Sequence, residues 1–335
     1  MRYTLLALFT SLLVSCSAGQ EGGLHDGHRE IAFSLELDAI ETDETRPGEV
    51  ELHEVGVYIF NTDGDLELSS GMVKAEDLNV TRWFTYEGMK DIYVVVNPGD
   101  QLKAVLMKNS KLPAMQATTT ETITNENDFI ATISSIPENG LMMTGTLHVN
   151  LTSKINTVTV QVKRRIARID LSIRKSKELT DELNITSVTL DRTRIACSLF
   201  NDTWKSAVPA STSKDIPAEM LSADDSQDGI PIEIPVGDTY VPVSRSYTYP
   251  VQNNGNSVPD NEACLLQISA TLSGIPVTYS TYIMDSNLNT NLINPNTIYK
   301  VKATLTPQHT LEVLVSPLPW EVEDEQTEEL DPTEN

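Results

Sequence analysis

The sequence has few of the residues that build active sites and covalent crosslinks. It contains 335 residues but only 3 Cys and 5 His, and aromatic residues make up 6% of it. The histidines are scattered, and the chain has no His-Glu-x-x-His, Gly-rich phosphate loop, Gly-x-Ser-x-Gly or Cys-x-x-Cys pattern. These absences predict a protein that is not an enzyme, holds no cofactor and has no metal site.

Basic residues are also scarce. The chain has 24 Lys+Arg against 48 Asp+Glu, which gives a formal net charge of -24 at pH 7. A charge this negative disfavours binding to nucleic acid and to anionic lipid surfaces. Hydrophobic residues nevertheless make up 39% of the chain, which is too many for a disordered acidic chain. The length predicts two domains, each large enough to bury a core of its own.

Long apolar runs are absent except at the N-terminus. Residues 4–14 are apolar, follow a short basic start, and fall short of the roughly 20 residues that span a bilayer. We therefore predict a secretory signal at residues 1–15. The end of this run, Leu13-Val14-Ser15-Cys16, resembles the bacterial lipobox, in which the chain is cut before the cysteine and the cysteine is acylated. Cys16 is the predicted lipidation site and residues 16–29 a flexible tether; the alternative is an ordinary signal peptide with a chance cysteine.

From residue 30 onward, apolar residues alternate with polar ones, which is typical of strands with one buried face. The alternation is clearest at Ile31, Phe33, Leu35 and Leu37; Val55, Val57 and Ile59; Ile92, Val94 and Val96; Leu266, Ile268, Ala270 and Leu272; Tyr299, Val301, Ala303 and Leu305; and Leu311, Val313 and Val315. Ser273-Gly274 joins two such runs and predicts a hairpin. Helical patterns are few and short, and the clearest covers residues 100–109. We predict an all-β fold with two tandem antiparallel β-sandwich domains.

A change of phase marks the boundary between the two domains. The apolar positions are first even-numbered and then odd-numbered, at Val158, Val160 and Val162 and then at Ala167, Ile169, Leu171 and Ile173. A strand that stays in one sheet cannot change phase without a bulge or a crossing. The junction is therefore placed just before or within this strand, with an N-terminal domain at 30–154 and a C-terminal domain at 155–322. Residues 323–335 form an acidic tail that is predicted to be disordered.

Two cysteines remain besides Cys16. Cys197 and Cys264 both lie in alternating, strand-like runs, which favours two small buried side chains over a disulfide. An exported protein permits a disulfide, but two cysteines do not establish one.

Two further local patterns each allow more than one interpretation. Residues 61–65, Asn-Thr-Asp-Gly-Asp, faintly resemble a calcium loop, but the glycine comes early and a hairpin turn is favoured. Arg164, Arg165 and Arg168 indicate an anion site, or solvated side chains on a strand, or partners for the abundant carboxylates.

Two short motifs resemble the central signature of the Bacteroidales fimbrillins. Met143-Thr144-Gly145 matches a Met-Ser/Thr-Gly step, and Arg164, Ala167, Arg168 and Ile169 match a following strand of the form Arg-x-x-Ala-Lys/Arg-Ile. Arg168 stands where lysine is usual. The resemblance covers essentially the mature chain and implies two transthyretin-like β-sandwich domains and export as a lipoprotein. It also implies a place in the tip, the shaft or the membrane anchor of a type V fimbria at the outer membrane.

The resemblance also implies a mode of assembly. In shaft and tip members, an arginine-specific protease removes the first strand, and the C-terminal strand of a neighbouring subunit fills the groove by β-augmentation. In this sequence the first strand would contain Ile31, Phe33, Leu35 and Leu37. The corresponding protease site would be Arg46.

The residue after the candidate protease site decides which role is favoured. Arg46 is followed by Pro47, whose ring disfavours cleavage, and cutting at Arg29 would leave the first strand in place. A subunit that keeps its first strand and its lipid resembles the basal anchor lipoproteins of the family. The alternative is a shaft or tip fimbrillin that is matured at Arg46.

The last alternating run is the candidate donor strand. Its apolar residues are Leu311, Val313 and Val315, and Pro317 and Pro319 are expected to end its pairing. The alternative is that this segment is the last strand of its own sheet.

The partners predicted from these features are other fimbrial subunits and the outer membrane, reached through lipidated Cys16. A second function class is a surface lipoprotein that binds a glycan or a host or bacterial surface ligand. The aromatic run Trp83-Phe84-Thr85-Tyr86 is the feature that supports this alternative.

Overall fold

The structure is a computed structural model that describes residues 28–37, 47–78, 80–117, 140–152, 157–194, 197–201, 214–217, 219–221, 232–253, 255–284 and 290–320. Cys16, Arg46, the signal segment and the acidic tail lie outside the described residues. The fold is all-β with a few short helices, as predicted. Within the ranges given above, no helix is long and apolar enough to cross a membrane.

The first domain is built from one strongly folded sheet. Its strands are β1 His28–Leu37, β2 Glu54–Phe60, β3 Leu66–Lys74, β4 Trp83–Tyr86, β5 Gly88–Val96, β6 Met143–Leu151 and β7 Thr157–Arg164, in the order β3-β2-β5-β6-β7-β1-β4. β6 meets β7 only where Met143 and Thr144 pair with Arg164 and Lys163. The sheet turns at this corner, and its two halves pack on a shared core of Val and Ile side chains from β1, β2, β5 and β7.

Four short helices connect the strands of this domain. They are α1 Pro47–Val50, α2 Ala75–Leu78, α3 Asp100–Leu106 and α4 Leu112–Ala117. α3 lies where residues 100–109 predicted a helix. Leu102 and Leu106 of α3 and Met115 of α4 pack on Tyr58 and Tyr93, which project from the face of the sheet opposite the core. This half of the sheet is therefore covered on both faces.

The second domain consists of two sheets that face each other. Its strands are β8 Ala167–Lys175, β9 Leu183–Thr193, β10 Lys214–Pro217, β11 Glu219–Met220, β12 Ile232–Ile234, β13 Val241–Thr248, β14 Leu265–Leu272, β15 Ile275–Tyr282, β16 Thr297–Leu305 and β17 Leu311–Pro319, with a short 3-10 helix at Asp260–Glu262. One sheet has the order β10-β9-β14-β15, with β12 also on β9, and the other has the order β11-β13-β8-β16-β17. Their inner faces share one apolar core.

The two domains repeat one topology. The order β3-β2-β5-β6 in the first domain corresponds to β10-β9-β14-β15 in the second, and β7-β1-β4 corresponds to β16-β8-β13. In each domain the first strand pairs in parallel with a late one, β1 with β7 and β8 with β16, whereas the other strand pairs are antiparallel. β17 and the short strands β11 and β12 have no counterparts among the described strands of the first domain.

The chain passes between the domains where the alternation changes phase. In β7 the even-numbered residues are buried, and in β8 the odd-numbered residues Ala167 to Ile173 are buried. β7 pairs with β1 and β6, whereas β8 pairs with β13 and β16. The change of sheet thus falls at Arg165 and Ile166. The division after residue 154 placed β7 in the second domain, and the strand pairing instead assigns it to the first.

The predicted turns are found where the sequence placed them. Leu272 pairs with Ile275 across Ser273-Gly274, and both turn residues have the positive φ of a tight hairpin. Residues 61–65 form the turn between β2 and β3, in which the Asn61 side-chain oxygen accepts hydrogen bonds from the backbone of Asp63 and Asp65. The described residues contain no group of three or more His, Cys, Asp or Glu placed to hold a metal ion.

Gly145 sits where β6 leaves the corner and passes close to β7. A Cβ atom at this position would lie 2.2 Å from the backbone oxygen of Gln161 and 3.0 Å from the Val160 side chain. The glycine of the Met-Thr-Gly motif therefore permits the close approach that closes the sandwich.

Gly145→Ala is expected to lower the free energy of unfolding by about 2 kcal/mol, because the added methyl group must push β6 and β7 apart. Chemical denaturation would measure the change. Gly99→Ala is the matched control, since a Cβ there meets nothing within 4 Å. Equal stability of the two variants would contradict the proposed role of the glycine.

Candidate functional site

The first strand lies in the interior of the sheet. Residues 28–31 of β1 pair antiparallel with β4, from His28 with Tyr86 to Ile31 with Trp83. Residues 32–37 then pair in parallel with β7. The side chain of Ile31 is buried in the core.

The other three apolar residues predicted for this strand also lie in β1. Phe33, Leu35 and Leu37 stand opposite residues 158, 160 and 162 of β7, and their side chains are outside the described set. Removal of β1 would expose the backbone edges of β4 and β7 together with the apolar residues beneath them. Such a groove is what an extended peptide fills in β-augmentation.

The candidate donor strand is paired within its own domain. β17 pairs antiparallel with β16 along its whole length, from Leu311 with Leu305 to Pro319 with Thr297. Val315 is buried, and Leu311 and Val313 pack partly buried against the core. The segment is thus a strand of its own sheet here, and its role as a donor stays a prediction.

Pro317 and Pro319 do not end the pairing of β17, contrary to the prediction. Both lie inside the strand, opposite Tyr299 and Thr297. A proline fits a strand at the edge of a sheet when its nitrogen faces away from the neighbour. The odd-numbered residues of β17 therefore present their backbone to the outer edge, and the even-numbered residues present theirs to β16.

A partly buried carboxylate holds β4 in place beside the first strand. Glu67 of β3 accepts hydrogen bonds from Thr85 and from the backbone of Tyr86, both on β4, and from Lys90 of β5 at 2.5 Å. Burial raises the pKa of Glu67, but these hydrogen bonds and the charge of Lys90 outweigh it, so that the pKa lies below its usual range. The position of β4 therefore does not depend on β1 alone.

The lowered pKa predicts a stability difference that depends on pH. Ionised Glu67 stabilises the native state at pH values above its pKa in the unfolded chain, about 4.3, and this contribution is lost as pH falls through the lower native pKa. Glu67→Gln should therefore lower the melting temperature most near neutral pH. The gap from the parent chain should narrow below about pH 4. Glu76→Gln, which affects an exposed ion pair with Lys74, is the control. A gap that stays constant from pH 7 to pH 3 would contradict this account.

A buried ion pair joins the segment after Arg46 to the domain junction. Glu49 of α1 and Arg168 of β8 both have 0% of their surface exposed. The Arg168 guanidinium donates to Glu49 at 3.0 Å and to Asp170 at 2.8 Å, and the hydroxyl of Tyr247 donates to Glu49 at 2.6 Å. Burial lowers the pKa of Arg168, but the charges of Asp170 and Glu49 outweigh it and raise the pKa above its usual range.

Arg164, the other arginine of the motif, is buried beside Arg168. Arg164, at 0% exposure, donates from Nε to the backbone oxygen of Glu49 at 2.8 Å and from a terminal nitrogen to the side chain of Asn296 at 3.3 Å. Its guanidinium lies 4.6 Å from the centre of the Trp320 ring, which in turn stacks on Tyr247. Trp320 follows β17 directly, so that α1, the junction and the C-terminal strand meet at one cluster.

Two further contacts bring a loop of the second domain against the first. Arg165 donates to the backbone oxygen of Ser198 at 2.9 Å, and Thr144 donates to that of Leu199 at 2.5 Å. Cys197 lies buried in the same region. Cys264 is buried in the core of the second domain, no disulfide joins it to Cys197, and burial raises the pKa of the Cys264 thiol to about 12.

Arg164, Arg165 and Arg168 are therefore buried rather than solvated. Only Arg168 pairs with carboxylates in the contacts described, as one of the three interpretations predicted. The burial of Arg164 agrees with its even-numbered position in β7, in phase with Val158, Val160 and Val162, which is a signal present in the sequence. No pattern in the sequence marked Glu49 as a buried residue.

Arg168→Met is expected to lower the free energy of unfolding by about 3 to 5 kcal/mol, because it leaves the buried Glu49 carboxylate without its cationic partner. Lys74→Met removes an exposed ion pair with Glu76 and should cost less than about 1 kcal/mol. Urea denaturation would compare the two variants. Similar small losses for both would show that the junction does not depend on this pair.

The chain forms two sandwiches, each with one parallel pair of strands, that meet at this junction. Solved structures of other proteins have the same fold. No protein-family model and no curated protein matches the chain. The tip fimbrial protein Mfa3 from Porphyromonas gingivalis, solved with a C-terminal truncation, superposes with a TM-score of 0.60 at 13% identity, over 88% of this chain and 100% of that one. The fimbrillin FimA from P. gingivalis W83 gives 0.52 at 14%, over 88% and 97%.

A candidate cell adhesion protein from Parabacteroides distasonis ATCC 8503 gives a TM-score of 0.56 at 15% identity, over 88% of this chain and 96% of that one. The chain therefore has the fold of the Bacteroidales fimbrillins. These similar structures are fimbrial and cell-adhesion proteins rather than enzymes, in agreement with the prediction from sequence.

Proposed function

We propose that the protein is a non-enzymatic structural subunit of a fimbria, and that it is the lipid-anchored basal subunit that joins the shaft to the outer membrane. Mfa3 and FimA, which share its fold, are a tip fimbrial protein and a fimbrillin. The two tandem sandwiches and the position of β1 provide the strand edges that such assembly uses. One observation supports the basal role. The chain just after Arg46 is held in place by burial and hydrogen bonds at Glu49.

A protease cuts most readily at exposed chain that is free of packing and hydrogen bonds. Pro47 begins α1, where a proline ring fits the first helical turn. Glu49, three residues beyond Arg46, is fully buried and is held by Arg164, Arg168 and Tyr247. The segment on the C-terminal side of the candidate cleavage site is thus fixed, which supports a subunit that keeps its first strand.

Retention of β1 and lipidation of Cys16 fit together in one role. A chain that keeps residues 16–46 stays covalently joined to its lipid, so that the outer membrane is one partner and the neighbouring fimbrial subunits are the other. A chain cut at Arg46 would lose both the strand and the lipid, as a shaft or tip subunit would.

One observation favours the second candidate function, binding of a surface ligand. Phe84 and Tyr86 lie two residues apart on β4 and are 52% and 46% exposed. Exposed aromatic side chains in this position offer a face on which a glycan ring can stack.

The mature N-terminus is the test of the basal role. We expect protein isolated from cell envelopes to begin at Cys16 and to carry the mass of its acyl chains, as measured by intact-mass spectrometry. Cys16→Ser should abolish the mass increase and release the protein from the membrane fraction, whereas Cys197→Ser, a control at a buried thiol, should change neither.

A chain that begins at Pro47 would contradict the basal role and would support the shaft or tip alternative. An unacylated chain that begins near residue 16 would instead support the ordinary signal peptide.

A further inference from the structure

We propose that the outer edge of β7, at Thr157 and Thr159, is a strand-addition site that binds an extended C-terminal strand of an adjoining fimbrial subunit. This site differs from the β1 groove and is available while β1 stays in place. The strand edge is inferred from the fold alone, and only the identity of the partner rests on the proposed function.

The internal repeat supplies the template for the site. β7 and β16 are equivalent strands, each paired in parallel with the first strand of its domain. The other edge of β16 is covered by β17 over nine residue pairs, Thr297–Leu305. The other edge of β7 pairs with a described strand only at the corner, at Arg164 and Lys163, and Gly145 of β6 stays close to it as far as Gln161 and Val160. The position of β17 thus has no described occupant along the rest of β7.

The backbone of β7 presents its hydrogen-bonding groups at this edge. Successive residues of a strand direct their N–H and C=O groups to opposite sides. The backbone oxygen of Gln161 faces Gly145 of β6, on the side away from β1. By the same alternation, the backbone groups of Thr157 and Thr159 point away from β1 and toward the open side.

Apolar side chains beside this edge are only partly covered. β6 diverges from β7 beyond the corner, and its residues Leu147 and Val149 pack partly buried against the core. In the second domain the equivalent strand β15 contributes partly buried Val277 and Tyr279, and there Leu311 and Val313 of β17 pack against the same core. An added strand with alternating apolar residues would cover Leu147 and Val149 in the same way.

A basal subunit that keeps β1 needs such a second edge. Its groove is filled by its own strand, and its own β17 is paired with β16 and continues into Trp320, which packs over Arg164. Strand exchange through either element would break contacts that the native subunit already makes. Addition of a strand at β7 breaks none of the described contacts. Because β17 occupies the equivalent edge of β16, we assign the occupant as a strand with the alternation of β17.

A synthetic peptide with the sequence of residues 310–320 is the probe, and the protein is the chain from residue 16 with Cys16→Ser. The design uses the two sides of the peptide. N-methylation at the positions of Glu312 and Leu314 removes the amides on the side that pairs in β17, whereas N-methylation at those of Val313 and Val315 alters only the outer side. We expect the unmodified peptide and the peptide methylated on its outer side to bind with similar affinity. The peptide methylated at the positions of Glu312 and Leu314 should bind at least about tenfold more weakly, because two strand hydrogen bonds are lost.

Hydrogen exchange locates the bound peptide. We expect increased amide protection in β7 at Thr157 and Thr159, with β1 and β17 unchanged. No binding of the unmodified peptide at millimolar concentration, or equal binding of the two methylated peptides, would overturn the proposal. Protection changes in β4 or β16 instead of β7 would also overturn it, because they would show displacement of β1 or β17. None of these outcomes depends on acylation of Cys16, so the basal role is tested separately.

Discussion

The ion pair between Arg168 and Glu49 is the interaction on which the arrangement of the junction depends. Both charges are fully buried, and each such charge costs several kcal/mol unless it is paired and hydrogen-bonded. Glu49 belongs to the segment that follows the first strand, whereas Arg168 begins the second domain. The cost of separating them therefore holds α1 against the junction. Arg164, which bonds the backbone of Glu49 and packs on Trp320, extends the same constraint to the C-terminal strand.

The strand order explains how β1 can lie between two other strands and still be removable from the sheet. β1 lies between β4 and β7, but it is joined to the rest of the chain only through the residues that lead to α1. Without it, β2, β3, β5 and β6 keep their pairing with one another and β7 keeps its corner with β6, so that most of the shared core remains. Glu67 holds β4 to β3 and β5 independently of β1. The same architecture would thus suit both a chain that keeps its first strand and a chain that loses it.

Alternation was sufficient to predict the strands, the Ser273-Gly274 hairpin and the change of phase near Arg165, because burial on one face imposes a period of two residues. It carries no information on which strands are neighbours, so the parallel pairing of β1 with β7 and the assignment of β7 to the first domain were not predicted. The junction was missed for a related reason. Glu49 and Arg168 are 119 residues apart, and nothing local marks a carboxylate whose partner is that distant.

The junction lies on the path that tension along the chain would take. If the N-terminal end is held and the second domain is pulled, force enters along β1 and leaves through β8. β1 and β7 run in parallel over residues 32–37, so that pulling one against the other loads their hydrogen bonds together in shear. The force then passes from β7 to β8 across Arg165 and Ile166, a turn with no sheet pairing of its own along this path. Arg164 and Arg168 flank that turn and bind the same residue, Glu49, which closes a polar bridge across the point where the two sheets would otherwise separate.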